Sequence, residues 1–95
     1  MFGRRLHQLR LEKKISMRAL AERVGIDFSY ISQIEHEKRQ PSREVIVRLS
    51  GALGADPDEF LVTAGYLPSD VGKILSRDPR RSLLYIREKL AKYGK

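Results

Sequence analysis

The chain has no cysteine and only two histidines in 95 residues. Disulfides and thiolate metal sites are therefore excluded, nothing argues for an oxidising compartment, and the isolated His7 and His36 do not make a metal site. Long apolar runs are also missing. The N-terminal MFGRRLHQLRLEKK is charged throughout and has no apolar centre like that of a secretion signal, and no stretch approaches membrane-spanning length. A cytoplasmic protein is expected. Period-two alternation of apolar and polar residues is almost absent, which argues against a sheet. No Ser/His/Asp set, glycine-rich phosphate loop or metal-spaced cluster occurs, and Asp58-Glu59 sit at a helix start, where carboxylates complement the dipole. Neither enzymatic activity, a cofactor nor a metal is expected.

What the chain does have is positive charge. Nineteen Lys plus Arg stand against twelve Asp plus Glu, net +7, which suits a polyanionic partner. The charge is blocked: residues 1–48 hold 11 basic and 6 acidic side chains, residues 49–72 hold none and 4, and residues 73–95 hold 8 and 2. Both basic blocks could touch a nucleic acid, or the tail could rest on the acidic middle of its own chain or of a neighbour.

Apolar residues recur at spacings of three and four along the whole length, so the expected fold is all-α. Phe2, Leu6, Leu9 and Ile15 mark the inward side of a first helix ending near Lys14. Ser16 is an N-cap for a second helix over Met17 to Val24, stopped by Gly25. Asp27 is the N-cap of a third, over about 28–36, with Ile31 and Ile34 facing in. Ser42 opens a fourth helix closed by Gly54, and Asp56-Pro57 opens a fifth that stops near Gly65. A short sixth helix follows Pro68. A last one runs from Asp78-Pro79 to Tyr93, with Gly94 as its stop. In it Leu83, Ile86, Leu90 and Tyr93 form a narrow apolar stripe, which either packs back on helices four to six or forms a dimer interface.

Two short helices joined at Gly25-Ile26 have helix-turn-helix spacing. Ala21 is small where the helices cross, Gly25 turns the chain, and Leu20, Val24, Ile26, Ile31 and Ile34 close the wedge. With Leu6, Leu9, Arg10, Ser16, Leu20-Ala21, Gly25, Ile31-Ser32, Ile34-Glu35, Lys38, Pro41-Ser42, Leu49 and Leu53-Gly54, the chain resembles the Cro/cI-type helix-turn-helix regulators, also called the XRE family. The likeness spans residues 2 to about 62. It implies a five-helix lambda-repressor-like DNA-binding domain, here over residues 1–66, with one or two additional C-terminal helices in 67–95.

The resemblance also implies roles. Helix three would enter the major groove of double-stranded DNA, with Phe28, Ser29, Ser32 and Gln33 as the base-reading candidates. Gln33 could both donate to and accept from adenine, while Ser29 and Ser32 could equally meet phosphate. Phe28 could press on a thymine methyl or fold back as local packing. Met17, Arg18, Tyr30, Lys38, Arg39 and Arg43 are the phosphate candidates, although Tyr30 could instead pack. Met17 stands where relatives often have glutamine, leaving only the backbone N–H part of a phosphate clamp. Arg10 and Glu35 match an internal ion pair. Glu37 stands where relatives commonly have glycine, so the turn after helix three is either strained or delayed, which bears on where Lys38 and Arg39 lie.

The function expected is a sequence-specific transcriptional regulator, a repressor, acting as a homodimer on a palindromic operator. The alternative is an antitoxin or adaptor whose C-terminal helix binds a partner protein.

Overall fold

The computed structural model describes residues 1–91 and contains, among them, seven α-helices and no strand. They are α1 (Phe2–Glu12), α2 (Met17–Val24), α3 (Phe28–Glu35), α4 (Arg43–Leu53), α5 (Pro57–Thr63), α6 (Ser69–Arg77) and α7 (Pro79–Leu90). The expected end of the last helix at Tyr93 and Gly94 lies outside the described residues. Local chemistry accounts for most boundaries. Ser16 Oγ accepts from Ala19 N at 3.0 Å, Ser42 Oγ from Val45 N at 3.3 Å, and Asp56 Oδ1 from Asp58 N at 2.8 Å. Gly25 ends α2 in the left-handed region (φ 78°), its N–H bonded to the Ala21 carbonyl at 2.8 Å. Asp27 departs from expectation: it occupies the N-cap position of α3, but its side chain makes no capping bond.

The core is built from α1 to α5. Leu6, Leu20, Ile31, Ile34, Ile46 and Leu49 are sealed from water, and Phe2 meets Phe60 edge-on with ring centroids 5.2 Å apart, closing α1 against α5. Burial of each such aliphatic side chain stabilises the fold by about 2 kcal/mol. α3 is wedged between α1 and α2 through Ile31 and Ile34. Its opposite side is left outward.

The hairpin α6–α7 is different. Neither helix contributes a buried residue, and α7 packs principally on α6, not on the body formed by α4 and α5. Among the described residues the stripe meets principally α6 and is not sealed by it: Leu83, Ile86 and Leu90 stay exposed, with Leu84 and Tyr85 beside them, and Tyr93 lies outside the described residues. The hairpin is moored at its base, where Arg43 Nη1 donates to the Leu67 carbonyl at 2.6 Å, Tyr66 Oη donates to the Pro41 carbonyl at 2.9 Å, and Pro68 is buried.

Candidate nucleic-acid interface

The outward side of α3 presents Phe28, Ser29 and Gln33 to solvent, with Ser32 and Tyr30 half-buried at its margins. Phe28 lies at the first turn with 40% of its surface exposed, and the Arg18 guanidinium of α2 sits over its ring at 5.0 Å. The ring is thus neither folded into the core nor free. It is one half of a cation–π pair bridging α2 and α3. Tyr30, two residues further along, carries the Arg39 guanidinium over its ring at 4.3 Å. Arg39 Nη1 also reaches Gln33 Oε1 at 3.5 Å. His36 bonds within its own helix, Nδ1 lying 2.7 Å from the Ser32 carbonyl.

Among the phosphate candidates, Arg18, Lys38 and Arg39 are exposed around the two ends of α3, and Met17 is half-buried at the start of α2. Arg43 is turned elsewhere. Its guanidinium lies over Tyr66 at 5.2 Å and bonds to Leu67, so it braces the exit from α5.

The position of α3 is fixed from behind. Arg10 Nε donates to Glu35 Oε2 at 2.6 Å and Nη2 to Oε1 at 3.1 Å, a two-pronged pair, while Nη1 donates to the Ile15 carbonyl at 2.9 Å. Their side chains are only 8% and 4% exposed, so the pair is buried. His7 Nδ1 lies 2.8 Å from the same carboxylate. Burial pushes the Glu35 carboxyl up, but the hydrogen bonds and charges of Arg10 and His7 outweigh it and hold the group below the ordinary carboxylate value.

The turn after α3 takes the strained of its two expected courses, whereas the reach of the Glu37 carboxylate has no local sequence signal. Glu37 adopts φ 59° directly after α3, and the Lys38 N–H returns to the Gln33 carbonyl at 2.8 Å. The helix ends there in a tight left-handed turn, as if glycine were present, at a strain of about 1 kcal/mol. The Glu37 carboxylate then crosses to α1, accepting from Arg4 N at 3.0 Å and Gly3 N at 3.3 Å. It caps a helix more than thirty residues earlier in the chain. Gly3 makes that docking feasible, because a Cβ there would overlap the Ile34 carbonyl oxygen.

Comparison with known proteins agrees with this geometry. The family model described as Helix-turn-helix, HTH_3, matches residues 6–60. An uncharacterized HTH-type transcriptional regulator of Mycobacterium tuberculosis is 39% identical over 61 residues, covering 63% of this chain and 44% of the relative, so the chain spans less than half of that protein's length. The restriction-modification controller protein C.AhdI from Aeromonas hydrophila is 39% identical, with 62% of this chain and 89% of that one superposed at a TM-score of 0.60. The biofilm regulator SinR, solved in complex with DNA, is 35% identical over 64% of this chain and 98% of that one, TM-score 0.60. A second SinR structure, a SinR/SinI protein complex, covers 99% of this chain and 100% of that one at 26% identity and a TM-score of 0.61. With the turn at Gly25, the wedged α3 and the model match over more than half of its length, the chain belongs to the helix-turn-helix family, of the Cro/cI (XRE) type.

Proposed function

We propose that this protein is a sequence-specific transcriptional regulator, a repressor, that reads the major groove of double-stranded DNA with α3. The observation that supports it most is a short helix whose apolar side, Ile31 and Ile34, is seated between α1 and α2 while its polar and aromatic side stands outward, in a fold shared with a DNA-bound regulator. The major groove is wide enough for such a helix, and its base edges distinguish all four pairs. Phe28, Ser29, Ser32 and Gln33 are the proposed readers. Arg18 and Lys38, with the main-chain N–H groups at Met17, are the proposed backbone contacts that set register without conveying sequence, and Arg39 lies between them and the readers. Arg43 has the weakest claim, because its guanidinium is held over Tyr66 and donates to the Leu67 carbonyl.

Residues 1–66 form the proposed DNA-binding domain and residues 67–95 the proposed extension through which two copies pair. Exposed Leu83, Ile86 and Leu90 on α7, with Val71 and Ile74 on α6, support the pairing, since α6 and α7 bury no residue within the chain. Paired domains would meet half-sites about 34 Å apart on a palindromic operator. A protein partner on the same hairpin is the second reading, favoured by the likeness, over 99% of this chain, to one chain of a SinR/SinI complex. A cytoplasmic location accompanies both readings.

Selection of bound duplexes from a random pool, followed by titration against selected and scrambled sites at moderate salt, tests the proposal. A palindromic consensus bound at least a thousandfold more tightly than scrambled duplex is expected, within the usual range of about 10³ to 10⁷. Equal affinity for all duplexes, weakening together with salt, would reduce the protein to a nonspecific polyanion binder.

A further inference from the structure

Tyr30 and Gln33 lie one turn apart on α3, and Arg39, returning after the turn at Glu37, covers both. Its guanidinium is stacked over the Tyr30 ring at 4.3 Å, and its Nη1 reaches Gln33 Oε1 at 3.5 Å. The loop that delivers it is anchored on both sides: the Lys38 N–H is bonded to the Gln33 carbonyl, and the Glu37 carboxylate is tied to the start of α1. We infer that Gln33 and Arg39 act as a single donor-only reading unit, braced by Tyr30, that selects guanine at one position in each half-site. The inference rests on the proposed reading of DNA by α3.

The reasoning concerns which hydrogen-bonding groups remain available. A glutamine amide has one carbonyl acceptor and one NH2 donor, and pairing with adenine uses both, the NH2 toward N7 and the carbonyl oxygen toward the N6 amine. Arginine has donors only, so the group it meets on Gln33 must be the carbonyl oxygen, which fixes the direction of the amide. Oε1 keeps a second lone pair, but an amine approaching it would also meet the N–H groups of the guanidinium, so Gln33 and Arg39 together show the groove donors. Guanine answers with two acceptors, N7 and O6, and no donor on that edge. Adenine and cytosine would each turn an amine toward these donors, and thymine offers one acceptor beside a methyl group. Arg39 thus changes from a charge that touches phosphate into a determinant of which base Gln33 accepts, and Tyr30 becomes a positioning residue that limits the conformations Arg39 visits.

The test measures affinities of the full chain for four duplexes that differ only at the base selected opposite Gln33, for the wild type, Arg39→Ala, Gln33→Ala and Tyr30→Leu. Arg39 is exposed, so its replacement leaves the fold intact, checked by an unchanged melting temperature. The wild type is expected to favour guanine over adenine about tenfold. Arg39→Ala frees Oε1 and turns the preference toward adenine, Gln33→Ala loses it, and Tyr30→Leu weakens it without reversing it. A uniform loss of affinity in Arg39→Ala across all four bases, with a salt slope smaller by about one, would make Arg39 a phosphate contact and overturn the inference alone. A wild type without preference among any duplexes would overturn the reading of DNA by α3, and the inference with it.

Discussion

Arg10 and Glu35 are removed from water together and joined by two hydrogen bonds, so each depends on the other for its charge. Replacing one strands its partner, and Glu35→Gln is expected to lower stability by about 3 kcal/mol, read by denaturant titration at pH 7. The double variant Arg10→Met, Glu35→Leu should recover most of that loss, because no charge is left buried. The pH dependence has a definite sign. Since the folded carboxyl lies below its ordinary value of 4.5, the pair contributes fully above that pH and loses its contribution as pH falls through the folded value. The gap between wild type and Glu35→Gln should therefore narrow only below about pH 4.5. On the other side of α3, Phe28→Ala removes a ring already 40% exposed and releases Arg18 from its stack. A changed preference at one or two base pairs per half-site is expected, with a stability change under about 1 kcal/mol. A preserved preference with a clearly lowered melting temperature would assign the ring to packing.

Among the elements, the link between α1 and the end of α3 matters most for aiming the outward face. Glu37→Gly relieves the left-handed strain but removes the carboxylate from the Gly3 and Arg4 N–H groups, whereas Glu37→Ala keeps the strain and removes the carboxylate too. Glu37→Ala should be the less stable of the two by about 1 kcal/mol in thermal unfolding. Gly3→Ala pushes α1 away from the Ile34 carbonyl and is expected to cost 1 to 3 kcal/mol, about the penalty of an overpacked core. Helix order, the caps at Ser16, Ser42 and Asp56 and the turn at Gly25 were legible because their causes lie within a few residues of one another. The Glu37 cap was not. Its donors lie more than thirty positions away, and a glutamate in place of glycine reads locally only as strain. The missing Asp27 cap is a milder case, since the residue type suits the position but the side chain makes no capping bond. The ring stacks on Phe28 and Tyr30 were illegible for a further reason: side-chain direction depends on which arginines the fold brings near.

At the scale of the whole molecule, the described chain measures 44 × 27 × 24 Å with a radius of gyration of 15.4 Å. A compact chain of this length would have a radius of about 12 Å. The hairpin α6–α7 accounts for the elongation, and its lack of buried residues separates its stability from that of the core. A chain ending at residue 68 should therefore retain cooperative unfolding within a few degrees of the full protein, while its mass in solution falls to that of a monomer. Leu83→Glu should do the same to the mass in the intact chain. If the mass stays dimeric in both, the pairing surface lies on α1–α5 instead. The sequence showed that the α7 stripe needed a partner but not which one, because period and spacing describe a face and not what covers it.

The most direct test of the account maps backbone amide shifts by NMR while the full protein is titrated with its selected duplex. The largest changes are expected at Met17 and Arg18, from Phe28 to Gln33, and from Lys38 to Gln40, with α6 and α7 nearly unmoved. Changes centred on residues 69–91, with α3 silent, would contradict the claim that α3 is the surface that reads DNA.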